Sequence, residues 1–123
     1  MGEVLKKNIA ICLSWVIIYF YPAGKWLLLV GFFVMADTIT GVIAAGLENF
    51  KTKRFMDCIR KYAVYGTAVL VAHVLQMQFF PDFPAMKIIS GLTAYNELMS
   101  IDENIQKMTG FSLFKFFIKK LKQ

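Results

Sequence analysis

Charged residues are scarce in this chain of 123 residues, at 18% against 58% hydrophobic, and the mean hydropathy is +0.56. A composition so apolar is too greasy for a soluble domain of this size and points first to a membrane. Cysteine is nearly missing as well. Cys12 and Cys58 stand in segments of different kinds, one apolar and one basic, and imply no disulfide framework. The single His73 has no Cys or carboxylate at ligand spacing, which argues against a metal site. Nothing resembles a phosphate loop, a Gly-x-Ser-x-Gly elbow or a cysteine nucleophile, so neither an enzyme nor a cofactor is expected. Acids are few too, 8 against 14 Lys and Arg, for a formal net charge of +6. Beside membrane spans such an excess reads as loops facing the cytoplasm, and nucleic acid is not an expected partner.

What is present is an apolar run over residues 26–47, about 33 Å of helix and enough to cross a hydrocarbon core of about 30 Å. Asp37 sits near its middle. An ionisable group at that depth costs roughly 2.5–3.5 kcal/mol on insertion scales and needs a partner, a wet cavity or a proton. Asp37, Gly41, Ala44 and Ala45 share one helix side, with Thr40 beside them. Thr40 with Ala44, and Gly41 with Ala45, are small-xxx-small spacings that let helices approach closely in lipid, so Asp37 points into protein. An ordinary packed helix whose aspartate makes one interhelical hydrogen bond is the plainer alternative.

Before this run, Lys6 and Lys7 precede an apolar stretch that ends at Pro22-Ala23-Gly24-Lys25. No small-residue pair there suits signal cleavage, and an uncleaved first helix over about 4–21 is expected. Residues 48–61 carry Lys51, Lys53, Arg54, Arg60 and Lys61 and read as a solvated basic loop. The third span, 62–80, bears a stripe of Tyr62, Gly66, Val69, His73 and Gln76; His73 either meets Asp37 or bonds another neighbouring helix. Pro81-Asp82-Phe83-Pro84 makes a tight turn. In 85–105, Ser90, Thr93, Glu97, Ser100 and Asn104 repeat at three and four residues as a polar seam, with Glu103 beside it, and the segment reads as a fourth span with a wet or paired side. An interfacial helix is the alternative. The tail, 108–123, reads as an amphipathic helix with Lys115, Lys119 and Lys122 opposite a phenylalanine face, suited to an anionic lipid surface.

With four spans, twelve basic residues fall on one side and only Lys25 and Lys87 on the other, which places both termini in the cytoplasm. With three spans, the tail omitted from that side, the bias weakens. The expected architecture is one all-α integral membrane domain, 1–123: a four-helix transmembrane bundle, three spans being possible, with a C-terminal basic amphipathic helix. Asp37, Thr40, Gly41, His73, Thr93, Glu97, Ser100, Glu103 and Asn104 are the candidates for an oligomer interface or a polar lining.

The order Asp37-x-x-Thr40-Gly41, a basic loop, a span, then Asn96-Glu97-x-x-Ser100-Ile101-x-Glu103-Asn104 resembles the toxin-secretion and phage-lysis holin family over about 31–122. The resemblance implies a small protein of the bacterial inner membrane that forms homo-oligomeric lesions, with an endolysin or a toxin as functional partner and no catalytic residue. Two departures stand out: the central loop is less glycine-rich than that pattern, and such proteins are often drawn with three spans. Two other classes fit the composition. A small four-helix proton-coupled exporter also depends on an intramembrane carboxylate, but similar exporters carry it in the first helix, which here has no acid within its apolar part. A non-conducting membrane scaffold would use the polar seam for assembly alone.

Overall fold

The computed structural model describes residues 1–46 and 52–123. It is all-helical: α1 (Gly2–Phe20), a 3₁₀ turn (Tyr21–Ala23), α2 (Gly24–Ala45), α3 (Thr52–Gln78), α4 (Ala85–Thr109) and a short α5 (Leu113–Leu121). Each boundary has a local cause. Pro22 removes one backbone donor and tightens the chain into the 3₁₀ turn, but Tyr21, Ala23 and Gly24 keep right-handed helical angles, so 2–45 remains one helical path of 44 residues. The expected Pro-Asp-Phe-Pro turn follows α3, where Phe79 and Phe80 both donate their N–H to the Leu75 carbonyl. Gly110 ends α4 in the left-handed region at φ 73°, donating to the Gln106 carbonyl at 2.8 Å. No residue with a Cβ takes that conformation cheaply. Ser112 then caps α5, which starts five residues later than the expected tail helix.

The basic segment is corrected by the structure. The expected loop over 48–61 lies partly outside the described residues, but from Thr52 onward it is the first part of α3. Cys58, Lys61, Tyr65, Val69 and Ala72 follow one another at three- and four-residue spacing along the face of α3 that turns inward. Helical periodicity overrides the local charge density there.

α2, α3 and α4 pack on one another, while α1 has no buried residue. The four long helices therefore do not form one four-helix bundle: three do, and α1 meets them at its C-terminal end, where Tyr19 and Phe20 lie 5.0 and 5.2 Å from the His73 ring. Small or slender side chains fill the centre: Ala23, Val30, Val34, Val69, Ala72 and Ala85. Large ones face outward, among them Leu28, Phe32, Ile39, Ile43, Val64, Val71, Ile88 and Leu92. Buried with the valines are Asp37, His73, Ser90, Glu97 and Asp102. Charge inside and bulky hydrocarbon outside inverts the arrangement water imposes on a soluble protein, and it is the one lipid allows. By length and hydropathy alone, one described segment, Gly2–Ala45, is apolar enough to cross a membrane.

At the far end of α4, Asp102 is 4% exposed and holds the tail. Its carboxylate accepts from the Leu113 N–H at 2.6 Å, the Ser112 hydroxyl at 3.0 Å and the Gln106 amide at 3.0 Å. The first is an orphan backbone donor at the start of α5, where a negative charge also suits the helix dipole. Asp102→Ala is expected to forfeit about 0.5–2 kcal/mol of capping energy. Backbone amides of 113–121 should then exchange hydrogen for deuterium several-fold faster in detergent while those of α3 keep wild-type rates. Unchanged exchange in α5 would mean that something other than Asp102 docks the tail.

A buried ionic knot between three helices

α2 brings Asp37 inward, α4 brings Glu97, and α3 supplies the cation between them. The Lys61 ammonium lies 2.7 Å from Asp37 Oδ2 and 3.2 Å from Glu97 Oε2. The two carboxyl-bearing residues are 7% and 2% exposed, too little for water to stabilise either charge by itself. Each of the other two carboxylate oxygens also has a donor. Tyr65 donates its hydroxyl to Glu97 Oε1 at 2.9 Å, and Asn104 donates its amide to Asp37 Oδ1 at 3.1 Å and to the Thr40 hydroxyl oxygen at 3.1 Å. Thr40 donates its own hydroxyl to the Ala36 carbonyl at 2.8 Å.

Gly41 lies one turn beyond Asp37. Arg54 donates to its carbonyl at 2.9 Å, and a Cβ here would stand 3.1 Å from Arg54 Nη1 and 3.5 Å from Asn104 Nδ2. The small face of α2 thus admits α3 and α4 of the same chain, where the spacing alone left a second copy equally possible.

Among the described residues, the knot is reached from the end at which α3 starts. A polar cavity of about 400 Å³, lined by Asp37, Gly41, Arg54, Lys61, Ser100 and Asn104 among others, opens beside it toward the start of α3. On the opposite side Val34, Val69 and His73, all under 2% exposed, close the bundle. Lys61 enters from the cavity side, its side chain 34% exposed, so its long stem is in the packing while the ammonium stays near water. With both acids ionised the knot carries two negative charges against one positive.

Of the residues singled out from the sequence, Asn104 bonds Asp37 and Thr40 directly, Glu97 joins them through Lys61, and Gly41 and Ser100 line the cavity beside them. His73 does not reach Asp37. Its Nε2 lies 2.8 Å from the Tyr19 carbonyl, near the other end of α3, and its Nδ1 is without a partner among the described residues. Thr93 bonds back to its own helix through the carbonyls of Ser90 and Ile89. Glu103 is exposed on the outer side of α4 and takes no part in the knot. Lys115 and Lys119 are exposed on α5, and Lys122 is exposed just past its end. Lys61, Tyr65 and Arg54 belong to this site without standing among the candidates drawn from the sequence; the three- and four-residue spacing from Cys58 to Ala72 is the signal that marks Lys61 and Tyr65.

A family model for bacteriophage holins matches residues 14–123, which includes the whole of α2, α3, α4 and α5. The chain belongs to the bacteriophage holin family. Holins of this family are non-enzymatic membrane proteins of phage lysis, and the inside-out distribution of charge and hydrocarbon described above is that of such a protein. Comparisons with curated proteins and with solved structures find no match.

Proposed function

We propose that this holin accumulates in the cytoplasmic membrane as a closed three-helix unit, associates with copies of itself, and opens a lesion through which a muralytic enzyme or a toxin leaves the cell. The single observation that carries the proposal is the ionic knot. Polar side chains worth burying only in pairs hold α2, α3 and α4 together, and the same side chains are available to line water once the helices separate. In lipid the gain from apolar contact between helices is small, so polar pairs and close packing decide which partner a helix takes. Exchange of intramolecular for intermolecular helix contacts then needs no new chemistry.

The membrane placement follows from charge. The ends of α2 and α4 and the start of α3 lie at one end of the bundle with the basic segment and the tail, whether or not α1 crosses, and this end is assigned to the cytoplasm. α1 is proposed as a fourth span surrounded by lipid; for it to return the amino terminus to the cytoplasm, the helical path has to fold back at the 3₁₀ turn, Tyr21–Ala23, about which α1 makes few other contacts.

The functional test is inducible expression together with a cytoplasmic endolysin, following culture turbidity. Abrupt clearing after a delay is expected; gradual growth arrest without enzyme release would overturn the lesion and favour an exporter or a scaffold. Topology is checked separately with single cysteines in a Cys12→Ser/Cys58→Ser background, because native Cys58 is 7% exposed and a poor target. An impermeant thiol reagent is expected to label Asp82→Cys in intact cells and Lys53→Cys, Glu3→Cys and Gln123→Cys after permeabilisation. Labelling of Glu3→Cys in intact cells would remove α1 from the spans and leave three.

A further inference from the structure

At the end of the bundle opposite the knot, α1, α2, α3 and α4 surround an open groove of about 1150 Å³. Its walls are mostly apolar, with Ile17 and Phe20 from α1, Leu28 from α2 and Met77 from α3. Lys25 and Lys87 also line it. Among the described residues of α2, α3 and α4, these are the only Lys or Arg at this end, and both fall on the same groove. Neither forms an ion pair among the described residues; Lys25 lies over the Trp26 ring at 5.1 Å. Trp26 and Tyr21, rings that favour the water-lipid boundary, line the groove too.

From this arrangement we infer that the groove is a binding site for an anionic phospholipid of the outer leaflet, with the phosphate between Lys25 and Lys87 and an acyl chain along the apolar walls. The inference rests on the membrane placement proposed above. Charge complementarity selects the occupant. A helix from a second copy would bring hydrocarbon but no anion, leaving two ammonium groups unpaired at its edge. A neutral lipid would satisfy the walls and offer the lysines no net charge. A groove of this volume exceeds the ~300–1,000 Å³ that encloses a drug-sized ligand and suits an elongated chain lying in an open trough. Because the groove is built from the ends of all four long helices, an occupied site would tie α1 to the bundle where protein contacts alone are sparse.

The test uses the full chain with Trp15→Phe, so that Trp26 is the one tryptophan. It is reconstituted with phosphatidylcholine and phosphatidylglycerol, brominated acyl chains being carried by one or the other. Brominated phosphatidylglycerol is expected to quench Trp26 at a mole fraction roughly tenfold below that needed by brominated phosphatidylcholine, given the attraction of each basic side chain for anionic lipid. Lys25→Gln/Lys87→Gln should make the two lipids equivalent, and each single variant should lie between. Lys115→Gln/Lys119→Gln, on the tail, should leave the preference unchanged. Equal quenching in the wild type, or loss of preference in the tail variant as large as in the groove variant, would overturn the site while leaving the membrane placement intact. No quenching by either lipid would overturn both. Circular dichroism on the double variant, expected to match wild type, separates a lost lysine pair from a lost fold.

Discussion

Lys61→Met is expected to lyse cells early. The substitution keeps the length of the stem and deletes the one cation shared by Asp37 and Glu97, at 2.7 and 3.2 Å. Removing one partner of a buried pair costs about 3–5 kcal/mol, because the remaining charge is left in a medium that cannot solvate it. Here two carboxylates are stranded together, and marginal stabilities of about 5–15 kcal/mol leave little reserve. The closed packing of α2, α3 and α4 should therefore lose most of its advantage over separated helices. The measurements are the time of clearing in the endolysin assay and the thermal midpoint of the purified protein in detergent, both expected to fall. Asp37→Asn/Lys61→Met/Glu97→Gln, which leaves no charge buried, should recover much of the loss. Wild-type timing and midpoint in Lys61→Met would show that the knot does not hold the unit closed.

Glu97→Gln is expected to act in the opposite direction. It leaves Asp37 and Lys61 as a one-to-one pair and retains an oxygen that accepts from Tyr65, so the site passes from a formal charge of −1 to neutral without losing shape. Relief of an incompletely compensated buried charge is on the order of 1–3 kcal/mol, and every 1.4 kcal/mol is a tenfold change in the ratio of closed to open forms. Membrane levels measured by immunoblot should match wild type while clearing is delayed or abolished. Unchanged timing would leave the lesion intact as a function and remove the charge imbalance as its trigger. The pair of variants is informative because a merely damaged protein would move in one direction for both.

Much of this protein was legible in local sequence. Proline and glycine rules placed the joint after α1 and the turn before α4, since each acts through its own backbone angles. Periodicity assigned Glu97, Ser100 and Asn104 to one face of α4, and hydropathy made Asp37 an acid that must face protein, because both follow from residues three or four apart on the same helix. The family resemblance and the match over 14–123 agree. Three features were decided only by tertiary structure. The start of α3 was hidden because five cations close together look like a loop, whereas Lys61 is helical and turned inward to serve acids 24 and 36 residues away. Small residues on α2 specify close approach without naming the partner, and it is packing that brings Arg54 and Asn104 of the same chain to Gly41. His73 had a polar stripe in common with its neighbours, yet which end of the bundle it faces depends on where α1 ends. Sequence fixes what a side chain needs, through its charge, size and place on a helix. Which distant residue meets the need depends on how whole helices stack, a property no window along the chain contains.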